Sequence, residues 1–298
     1  MDIVDQLKAF VATAQTGSFT AAAGQLGVSN RLTSKYVAEL ERRLGTRLLQ
    51  RTTRKVGLTP AGDELLARAP ALLDDLDDLL GEVSEGSRGL TGVIRISAPV
   101  TFGEVYAAGM LARFAKQNLA LTIDLRLNDR HVDLASEGID LAFRMGHSEM
   151  LSLKTRKLGT FGSLLVASPS YIERCGSPKS PEDLVNHTCI VDTNRRTPNR
   201  WLFNRDGTET VAHVRGRFHV NSARAAAALA ADGVGIAYAP RFVLHDTLQT
   251  GSLMPLLDDY TGETGPVSAV YLEGRSLPRK VRALIEFAIE DIKLTSIL

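Results

Sequence analysis

Residues 17–62 read GSFTAAAGQLGVSNRLTSKYVAELERRLGTRLLQRTTRKVGLTPAG, and their pattern predicts the fold of the N-terminal domain. Ser18 or Thr20 is a suitable N-cap for a short helix that ends at Gly27, where a left-handed backbone favours glycine. Ser29 caps the next helix after a tight turn. The spacing predicts four inward-facing residues in this helix: Thr33, Val37, Leu40 and Leu44. Two helices joined in this way are typical of a helix-turn-helix.

A first helix is predicted just upstream, over residues 3–16. Its apolar positions recur at helical spacing: Leu7, Phe10, Val11 and Ala14. Gly17 follows directly, and glycine is the residue at which such helices commonly end. The predicted N-terminal domain therefore contains three helices in a row.

The outer face of the third helix is polar where the helix begins. Four residues make up this face: Asn30, Arg31, Ser34 and Lys35. In a helix-turn-helix these first turns enter the major groove. Asparagine pairs there with adenine, arginine and lysine pair with guanine, and serine contacts base edges or phosphate. The N-terminus of the helix also attracts phosphate. A solvated polar surface is the alternative explanation of the same residues.

Residues 48–59 follow with the pattern of two short strands around a basic loop. Such a wing places arginine and lysine against DNA phosphates, which supplies affinity without reading base sequence. Arg51 and Arg54 are the first candidates for these contacts, with Thr52 between them. The wing favours DNA binding over the solvated-surface explanation.

The charge distribution points to the same segment, although the net charge of the 298-residue chain is only +1. Residues 1–58 carry nine Lys/Arg against four Asp/Glu. Residues 59–87 carry one arginine against eight acidic residues. Such asymmetry indicates separate roles for the two segments, and the basic one is the candidate polyanion binder.

The stretch quoted above resembles, without a gap, the DNA-binding end of LysR-type transcriptional regulators. The resemblance implies that residues 29–36 enter the major groove and that Arg51 meets the DNA backbone. The sequence departs from the family pattern at Thr33, where an aliphatic residue is usual, and at Leu32, which is often a smaller residue. The predicted DNA contacts are Ser29, Asn30, Arg31, Thr33, Ser34, Lys35, Arg51, Thr52 and Arg54.

Residues 60–87 predict a long helix, opened by Pro60 in the first turn, where a missing N–H costs nothing. Its apolar positions alternate steps of four and three: Leu65, Ala69, Leu72, Leu76, Leu79 and Val83. This narrow seam suits pairing with another helix, and the resemblance implies that it dimerises. Packing on its own domain is the alternative. A kink or a break is expected at residues 68–70, because Pro70 removes a backbone hydrogen bond.

The rest of the chain alternates predicted strands and helices, which argues for parallel sheets with crossover helices. The first lobe has strands near 93–96, 121–127 and 139–144 and helices near 103–116 and 132–137. A second lobe has strands near 164–167 and 236–239 and a helix at 223–231. A strand at 267–272 and a helix at 278–292 end the chain.

Residues 129–146 and 221–240 resemble segments of the LysR-type effector domain. The resemblance implies a two-lobed α/β domain like a periplasmic binding protein, in which the chain crosses between lobes twice. The expected organisation is an N-terminal all-α winged helix-turn-helix at 1–58, a long linker and dimerisation helix at 59–87 and an effector-binding domain at 88–298. Lobe I is placed at about 93–162 and 267–298, and lobe II at about 163–266.

Ligands of such folds bind at the carboxyl ends of strands, in the crevice between the lobes. The residues expected there are Val100, Thr101, Phe102, Asn128, Arg144, Asn221 and Ser222. Free N–H groups at two helix starts, hydroxyls and one arginine suit a carboxylate or another anion, so a small organic acid is the expected effector. The alternative is helix capping for Thr101, Asn128 and Ser222 and a surface ion pair for Arg144.

Composition and motifs argue against several other classes of protein. No apolar run is long enough to span a bilayer, and the N-terminus MDIVDQLKAF lacks the positive charge of a secretory signal, so a cytoplasmic protein is expected. The sequence has no Gly-x-Ser-x-Gly elbow, Walker loop or His-Glu-x-x-His helix, which argues against an enzyme. Gly233-Val234-Gly235 lacks the third glycine of a dinucleotide fingerprint. Neither a cofactor nor a metal is expected.

Two alternatives to a ligand-controlled regulator stay open. Cys175 and Cys189 lie in one lobe, and some regulators of this type respond to oxidants through a cysteine pair, which requires an exposed thiol of lowered pKa. The second alternative, an architectural DNA-binding protein, is disfavoured by the large sensing domain. The preferred interpretation is a homodimer or homotetramer that binds a palindromic operator in double-stranded DNA under the control of a small anionic effector.

Overall fold

The structure is a computed structural model that describes residues 2–51, 56–83, 89–130, 132–146, 153–272 and 277–295. A small helical domain with a two-stranded wing, a long helix and a two-lobed α/β domain follow one another along the chain. This architecture confirms the predicted fold class. None of the described helices is long and apolar enough to cross a lipid bilayer.

The N-terminal domain consists of α1 (Ile3–Thr16), α2 (Phe19–Leu26), α3 (Asn30–Leu44) and the antiparallel strands β1 (Leu49–Arg51) and β2 (Val56–Leu58). The three predicted helices are confirmed. A side chain caps the start of each helix, and Ser18 rather than Thr20 caps α2. A glycine with a left-handed backbone follows each helix; Gly27, between α2 and α3, has φ 66°.

The core of this domain is formed where α1 and α3 pack together. Its buried side chains are Ala9, Phe10, Val11, Val37, Leu40, Leu48, Leu49, Ala69 and Leu73. Burial of a side chain as large as Phe10 stabilises the fold by about 1.5–3 kcal/mol. Leu44 is 49% exposed, so its predicted inward position is wrong. It is the last residue of α3, and Leu48 fills the core in its place.

The long helix α4 (Pro60–Val83) runs without interruption through Pro70, so of the expected kink or break, the break is wrong. The proline removes one backbone N–H, and the hydrogen bonds on either side carry the helix across it. Ala69 and Leu73 are buried against the N-terminal domain, whereas Leu72 and Leu79 are 61% and 56% exposed. The predicted seam is therefore divided. Leu65 and Ala69 of the seam pack on their own domain, whereas Leu72 and Leu79 do not.

Lobe I is built on β3 (Gly92–Ala98), β4 (Leu121–Leu127) and β5 (Leu141–Met145), with β3 parallel to both other strands. A helical segment follows β3 and contains α5 (Val100–Phe102), a π-helical turn at Gly103–Ala107 and α6 (Ala108–Gln117). It begins three residues earlier than predicted. Together with the C-terminal helix α10 (Arg279–Thr295), this segment encloses the core of lobe I.

Lobe II contains the parallel strands β7 (Cys189–Asp192), β10 (Phe218–Val220) and β11 (Ile236–Pro240) and the helices α7 (Pro169–Cys175), α8 (Ala223–Ala231) and α9 (His245–Gln249). Short 3-10 turns lie at Pro181–Asn186 and Arg241–Val243. A hairpin of β8 (Arg200–Arg205) and β9 (Thr208–His213) pairs with β13 (Thr261–Gly262) in a separate sheet. The alanine-rich helix predicted at 223–231 is confirmed as α8.

Two long antiparallel strands join the lobes: β6 (Leu153–Ala167) and β14 (Thr264–Leu272). Residues 153–162 of β6 pair with β14, and residues 163–167 pair with β11 and with β12 (Met254–Leu256). The Ser163 N–H donates to the Glu263 carbonyl oxygen at 2.9 Å, so the two crossings between lobes are adjacent. A continuous sheet of order β10-β7-β11-β6-β14-β5-β3-β4 therefore runs through both lobes.

Residues 132–137 form no helix, contrary to the prediction, but a loop and a turn that continue to Gly138. The Asp133 carboxylate accepts hydrogen bonds from the N–H groups of Ala135 and Ser136, which stabilises the turn. Val132, Leu134 and Ile139 are buried in a small separate cluster. The apolar spacing was misleading because these side chains anchor a loop and do not form one face of a helix.

This turn also lies against α4. Gly138 has φ 63°, and a Cβ atom at this position would be 3.3 Å from the Ala67 carbonyl oxygen of α4. A side chain here would therefore be strained by the left-handed backbone and crowded by the helix. The contact brings lobe I next to the helix that leaves the N-terminal domain.

Candidate DNA-binding surface and effector cleft

The first turns of α3 present a polar, exposed surface. The Ser29 hydroxyl accepts a hydrogen bond from the Leu32 N–H at 3.2 Å and so fixes where the helix begins. The Asn30 amide donates to the Thr20 hydroxyl at 2.9 Å, which ties α3 to α2. Arg31 and Lys35 are exposed, and Ser34 is half-buried. These residues form one accessible face at the N-terminal end of α3.

Thr33 does not belong to this face. Its side chain is fully buried, and its hydroxyl donates to the Ser29 carbonyl oxygen at 3.2 Å. The expectation that Thr33 contacts DNA is therefore wrong, whereas its predicted inward position is confirmed. A threonine fits here because its hydroxyl is satisfied within the helix.

The start of the wing is held by a carboxylate that sequence analysis overlooked. The Glu41 Oε1 atom accepts hydrogen bonds from the N–H groups of Leu48 and Leu49, at 2.8 and 3.1 Å. Both leucines are buried, so Glu41 joins α3 to the start of the wing. In the sequence Glu41 is surrounded by basic residues, so its pattern does not differ from that of a solvent-exposed acidic residue on a charged helix.

The structure describes only part of the wing residues that are predicted to contact phosphates. The backbone of Arg51 ends β1 and pairs with Val56 of β2. The side chain of Arg51, and the whole of Thr52 and Arg54, lie outside the described residues. The described pairing of the wing runs from Leu49 with Leu58 to Arg51 with Val56.

A cavity of about 580 Å³ lies between the two lobes, and it is called the effector cleft below. Its walls come from both lobes and from the crossing strands: Pro99, Thr101, Phe102, Asn128, Asp129, Arg130, Arg144, Met145, Gly146, Phe161, Asp192, Asn194, Arg195, Arg196, Ala223, Pro240, Phe242, Glu263, Thr264 and Gly265. Four of the seven predicted effector contacts line it: Thr101, Phe102, Asn128 and Arg144.

The other three predicted residues are engaged elsewhere. The Val100 N–H donates to the Asp129 carboxylate at 2.9 Å, so an acidic side chain of the protein already occupies the first helix start. The Asn221 carbonyl accepts from the Asn194 side-chain amide. The Ser222 hydroxyl caps α8 by accepting from the Ala225 N–H at 3.3 Å. Helix capping, the alternative considered for Thr101, Asn128 and Ser222, describes Ser222.

Arg144 stands at the carboxyl end of β5 with its guanidinium half-buried. It donates to the Phe143 carbonyl at 3.0 Å and is 3.5 Å from the Ser97 hydroxyl. Within the described part of the chain it forms no ion pair with an acidic side chain, so the surface ion-pair alternative does not describe it. Burial lowers the pKa of Arg144, because the charged form loses water contact. A bound anion would compensate this charge.

The wall from lobe II was missed by sequence analysis. Asp192 is the last residue of β7, and Asn194, Arg195 and Arg196 follow after Thr193. Arg195 pairs with Glu263 and stacks over the Tyr238 ring at 4.4 Å from its centre. The rule used for lobe I, that ligands meet the carboxyl ends of strands, also points to these residues. It was not applied because the short strand β7 was not predicted.

The lobes touch along one edge of the cleft. The Asn194 amide of lobe II donates to the Asp129 carboxylate of lobe I at 2.9 Å. The hydroxyl oxygens of Thr101 and Ser222 are 3.5 Å apart. An exposed ion pair joins Glu104 to Arg224 at 3.8 Å. These contacts are polar, but lobe II also makes an apolar one: Phe242 is buried in the core of lobe I, with its ring centre 5.9 Å from that of Phe102.

The two cysteines do not form a redox pair in this structure. Both are free; Cys175 is exposed at the end of α7, and Cys189 is buried in β7. Burial raises the pKa of the Cys189 thiol to about 12, so it stays protonated near neutral pH. A protonated thiol is a poor nucleophile toward oxidants.

Hydrogen peroxide is therefore expected to leave the DNA affinity of the protein within about twofold of its untreated value, because a buried, protonated Cys189 cannot resolve an oxidised Cys175. The measurement is a DNA-binding titration before and after peroxide treatment, with Cys175→Ser as the matched variant. A large peroxide effect that disappears in Cys175→Ser would restore the redox alternative.

Comparison with known proteins identifies the class. Residues 4–63 match the family model described as "Bacterial regulatory helix-turn-helix protein, lysR family", and residues 87–293 match the "LysR substrate binding domain". The chain is thus a transcriptional regulator and not an enzyme. It belongs to the LysR-type family.

Relatives cover the chain almost completely. An HTH-type transcriptional regulator of Haemophilus influenzae is 36% identical over 95% of this chain and 99% of its own length. The regulator PtxR of Pseudomonas aeruginosa is 35% identical over 97% of this chain and 93% of its own. Among solved structures, CrgA of Neisseria meningitidis is 28% identical with a TM-score of 0.63, covering 96% of this chain and 98% of that one. The virulence activator AphB of Vibrio cholerae is 29% identical with a TM-score of 0.61, over 97% and 99% of the two chains.

Proposed function

We propose that this regulator binds a palindromic operator in double-stranded DNA and that a small anionic effector between the lobes controls its activity. The observation that carries the proposal is the combination, in one chain, of two features. One is an exposed basic start of a recognition helix. The other is a cleft in which the half-buried Arg144 has no acidic partner among the described residues. The proposed place of action is the cytoplasm, with the DNA.

The DNA contacts follow from the geometry of α3 and the wing. Asn30, Arg31, Ser34 and Lys35 lie on the first two turns of α3, which reach the base edges when such a helix lies in the major groove. The wing beside them would meet phosphates through Arg51, Thr52 and Arg54, which adds affinity without adding sequence preference. Ser29, at the helix N-terminus, would lie near a phosphate.

A palindromic operator requires two copies of the domain. The exposed leucines of α4 supply a surface for pairing, because Leu72 and Leu79 are seven residues apart and lie more than half exposed on one side of the helix. Pairing through α4 would set the distance between the two recognition helices and thus the spacing of the half-sites. We propose a homodimer formed in this way, and a homotetramer where two dimers join.

The effector would act by favouring one arrangement of the lobes over another, since a ligand shifts a conformational equilibrium only through different affinities for its states. Asn128 and Asp129 line the cleft, and Gly138, a few residues further, lies against Ala67 of α4. A change at the cleft edge would thereby reach the helix that spaces the DNA-binding domains.

Selection of bound duplexes from a random DNA pool by the purified protein tests the proposal. Arg31→Ala is expected to relax base preference at one position of each half-site, at a cost of about 1–3 kcal/mol, because a bidentate base contact is lost. Arg43→Ala is the matched control, since Arg43 is exposed on the last turn of the same helix. It should leave the selected motif unchanged. Arg54→Ala should weaken all sequences uniformly.

Recovery of a palindromic motif, altered by Arg31→Ala alone, supports the assigned roles. Absence of any enriched motif at low salt would contradict operator binding. Binding that depends on salt but shows no sequence preference would favour the architectural alternative.

A further inference from the structure

Asp192 is an acidic residue in the effector cleft that no part of the proposed function uses. It is 7% exposed and is the last residue of β7, where the strand opens into the cleft. One carboxylate oxygen, Oδ1, accepts a hydrogen bond from the Asn194 N–H at 3.0 Å. Among the described residues this is the carboxylate's one hydrogen-bonded partner, so Oδ2 is left with none.

Burial of such a carboxylate destabilises the folded protein unless a hydrogen-bond donor or a positive charge compensates it. Burial is the largest influence on Asp192 and raises its pKa, because the ionised form loses contact with water. The positive charge of Arg195 lowers the pKa of Asp192, but Arg195 is itself paired with Glu263. A buried acidic group with a free oxygen in a cavity therefore favours a ligand that donates a hydrogen bond to it.

Asp192 also mirrors Arg144 across the cleft. Arg144 lies on β5 of lobe I and Asp192 on β7 of lobe II, and each is at the carboxyl end of a parallel strand that opens on the same cavity. One wall thus offers a cation without an acidic partner and the other an acceptor with a free oxygen. Met145 of β5 and Phe161 of the crossing strand β6 add apolar surface to the same cavity.

We propose that the effector is a small carboxylic acid that also carries a hydroxyl or amino group, with its carboxylate on Arg144 and its donor group on Asp192. This inference rests on the proposed function and narrows it from any anion to a bifunctional acid. A ligand held in this way bridges lobe I and lobe II and favours a closed arrangement, in which the two lobes are closer together. An acid without the second group contacts one lobe only and closes the cleft poorly.

The test is calorimetric titration of the full chain with two series of acids that share a skeleton. The first series is propanoate, lactate and alanine, and the second is 3-phenylpropanoate, 3-phenyllactate and phenylalanine. In at least one series the substituted acids are expected to bind at least about tenfold more tightly than the parent, because a hydrogen bond to a charged group is lost in the parent. Preference for the hydroxy acid or the amino acid then identifies the donor group.

Variants assign the effect to the two residues. Asp192→Asn keeps the acceptor for the Asn194 N–H but loses the charge. It is expected to abolish the preference for substituted acids. The affinity for the parent acid should stay within about twofold of the wild-type value, because the parent acid makes no hydrogen bond to Asp192. Arg144→Gln is expected to weaken every member of the series by about tenfold or more, because all of them share the carboxylate. Asp232→Asn is the matched control, since Asp232 is exposed at the end of α8 and does not line the cleft.

Three outcomes would overturn the inference: equal affinity for all acids of both series, an equal loss for all acids in Asp192→Asn, or no binding of any acid by the wild-type protein. The comparison within the wild type does not depend on the folding of a variant. The DNA selection described above separates this failure from failure of the proposed function. A palindromic motif without acid binding leaves the operator-binding regulator in place and removes only the effector chemistry.

Discussion

Replacement of Glu41 by alanine is expected to destabilise the N-terminal domain by about 3 kcal/mol, since hydrogen bonds to a charged acceptor contribute about 1.5–3 kcal/mol each. Glu41 holds the N–H groups of Leu48 and Leu49, and both leucines are buried. Without the carboxylate, these two donors lie in a site that water reaches poorly. The wing would lose its fixed starting point, and the affinity for DNA would fall with it.

Hydrogen exchange at the amides of α1 and α3 measures this loss of stability, and a DNA titration measures the effect on binding. Glu39→Ala is the matched control, because Glu39 lies on the same helix in an exposed ion pair with Arg42, and such pairs contribute about 0–1 kcal/mol. Equal protection in the two variants would show that the Glu41 hydrogen bonds do not support the wing.

Replacement of Asp291 by alanine is expected to destabilise lobe I by about 2–3 kcal/mol, less than a fully buried pair because the Arg113 side chain is 45% exposed. Asp291 accepts two hydrogen bonds from Arg113, at 2.7 and 2.6 Å, and one from the Tyr106 hydroxyl at 2.7 Å. Tyr106 belongs to the π-helical turn that follows Thr101 and Phe102. The loss of Asp291 would therefore loosen the segment that carries two residues of the cleft.

The same carboxylate predicts a dependence of stability on pH. The Arg113 hydrogen bonds, with a smaller contribution from Tyr106, hold the pKa of Asp291 below its usual value. A group whose pKa is lowered in the folded state stabilises the protein at pH above its unfolded pKa, about 3.9 for aspartate, and loses this contribution as the pH falls through the folded value. Asp291→Asn should remove this part of the acid sensitivity. Unfolding followed from pH 7 downwards tests this, with Glu290→Gln, an exposed neighbour on α10, as control.

Local signals in the sequence were sufficient for most helices. The bounds of α1 and α8 follow from apolar spacing and from residues with strong preferences at helix ends, such as Ser222 before α8. The same signals failed for residues 132–137, where buried side chains anchor a loop at a spacing that a helix would also give. Periodicity reports which side chains are buried and does not by itself report the backbone that buries them.

The site was predictable only where one element carried it. The exposed face of α3 could be inferred from the spacing of a single helix, apart from Thr33, whose inward position argues against the contact assigned to it. The cleft depends on residues far apart in the chain, and its lobe II wall follows a strand of four residues that was too short to predict. Contacts such as Asp129 with Val100 depend on the packing of a loop against a helix start, which no local pattern encodes.

The adjacent crossings between the lobes have a consequence for how such a protein can diversify. Because residues 163 and 263 meet through a direct hydrogen bond, lobe II is an insertion whose two ends coincide in space. The two junctions of a gene segment that encodes residues 163–263 are therefore adjacent in the protein, one inside β6 and the other directly before β14. Recombination at these two points would replace the whole lobe II wall of the cleft, Asp192 included, and with it Phe242 of the lobe I core.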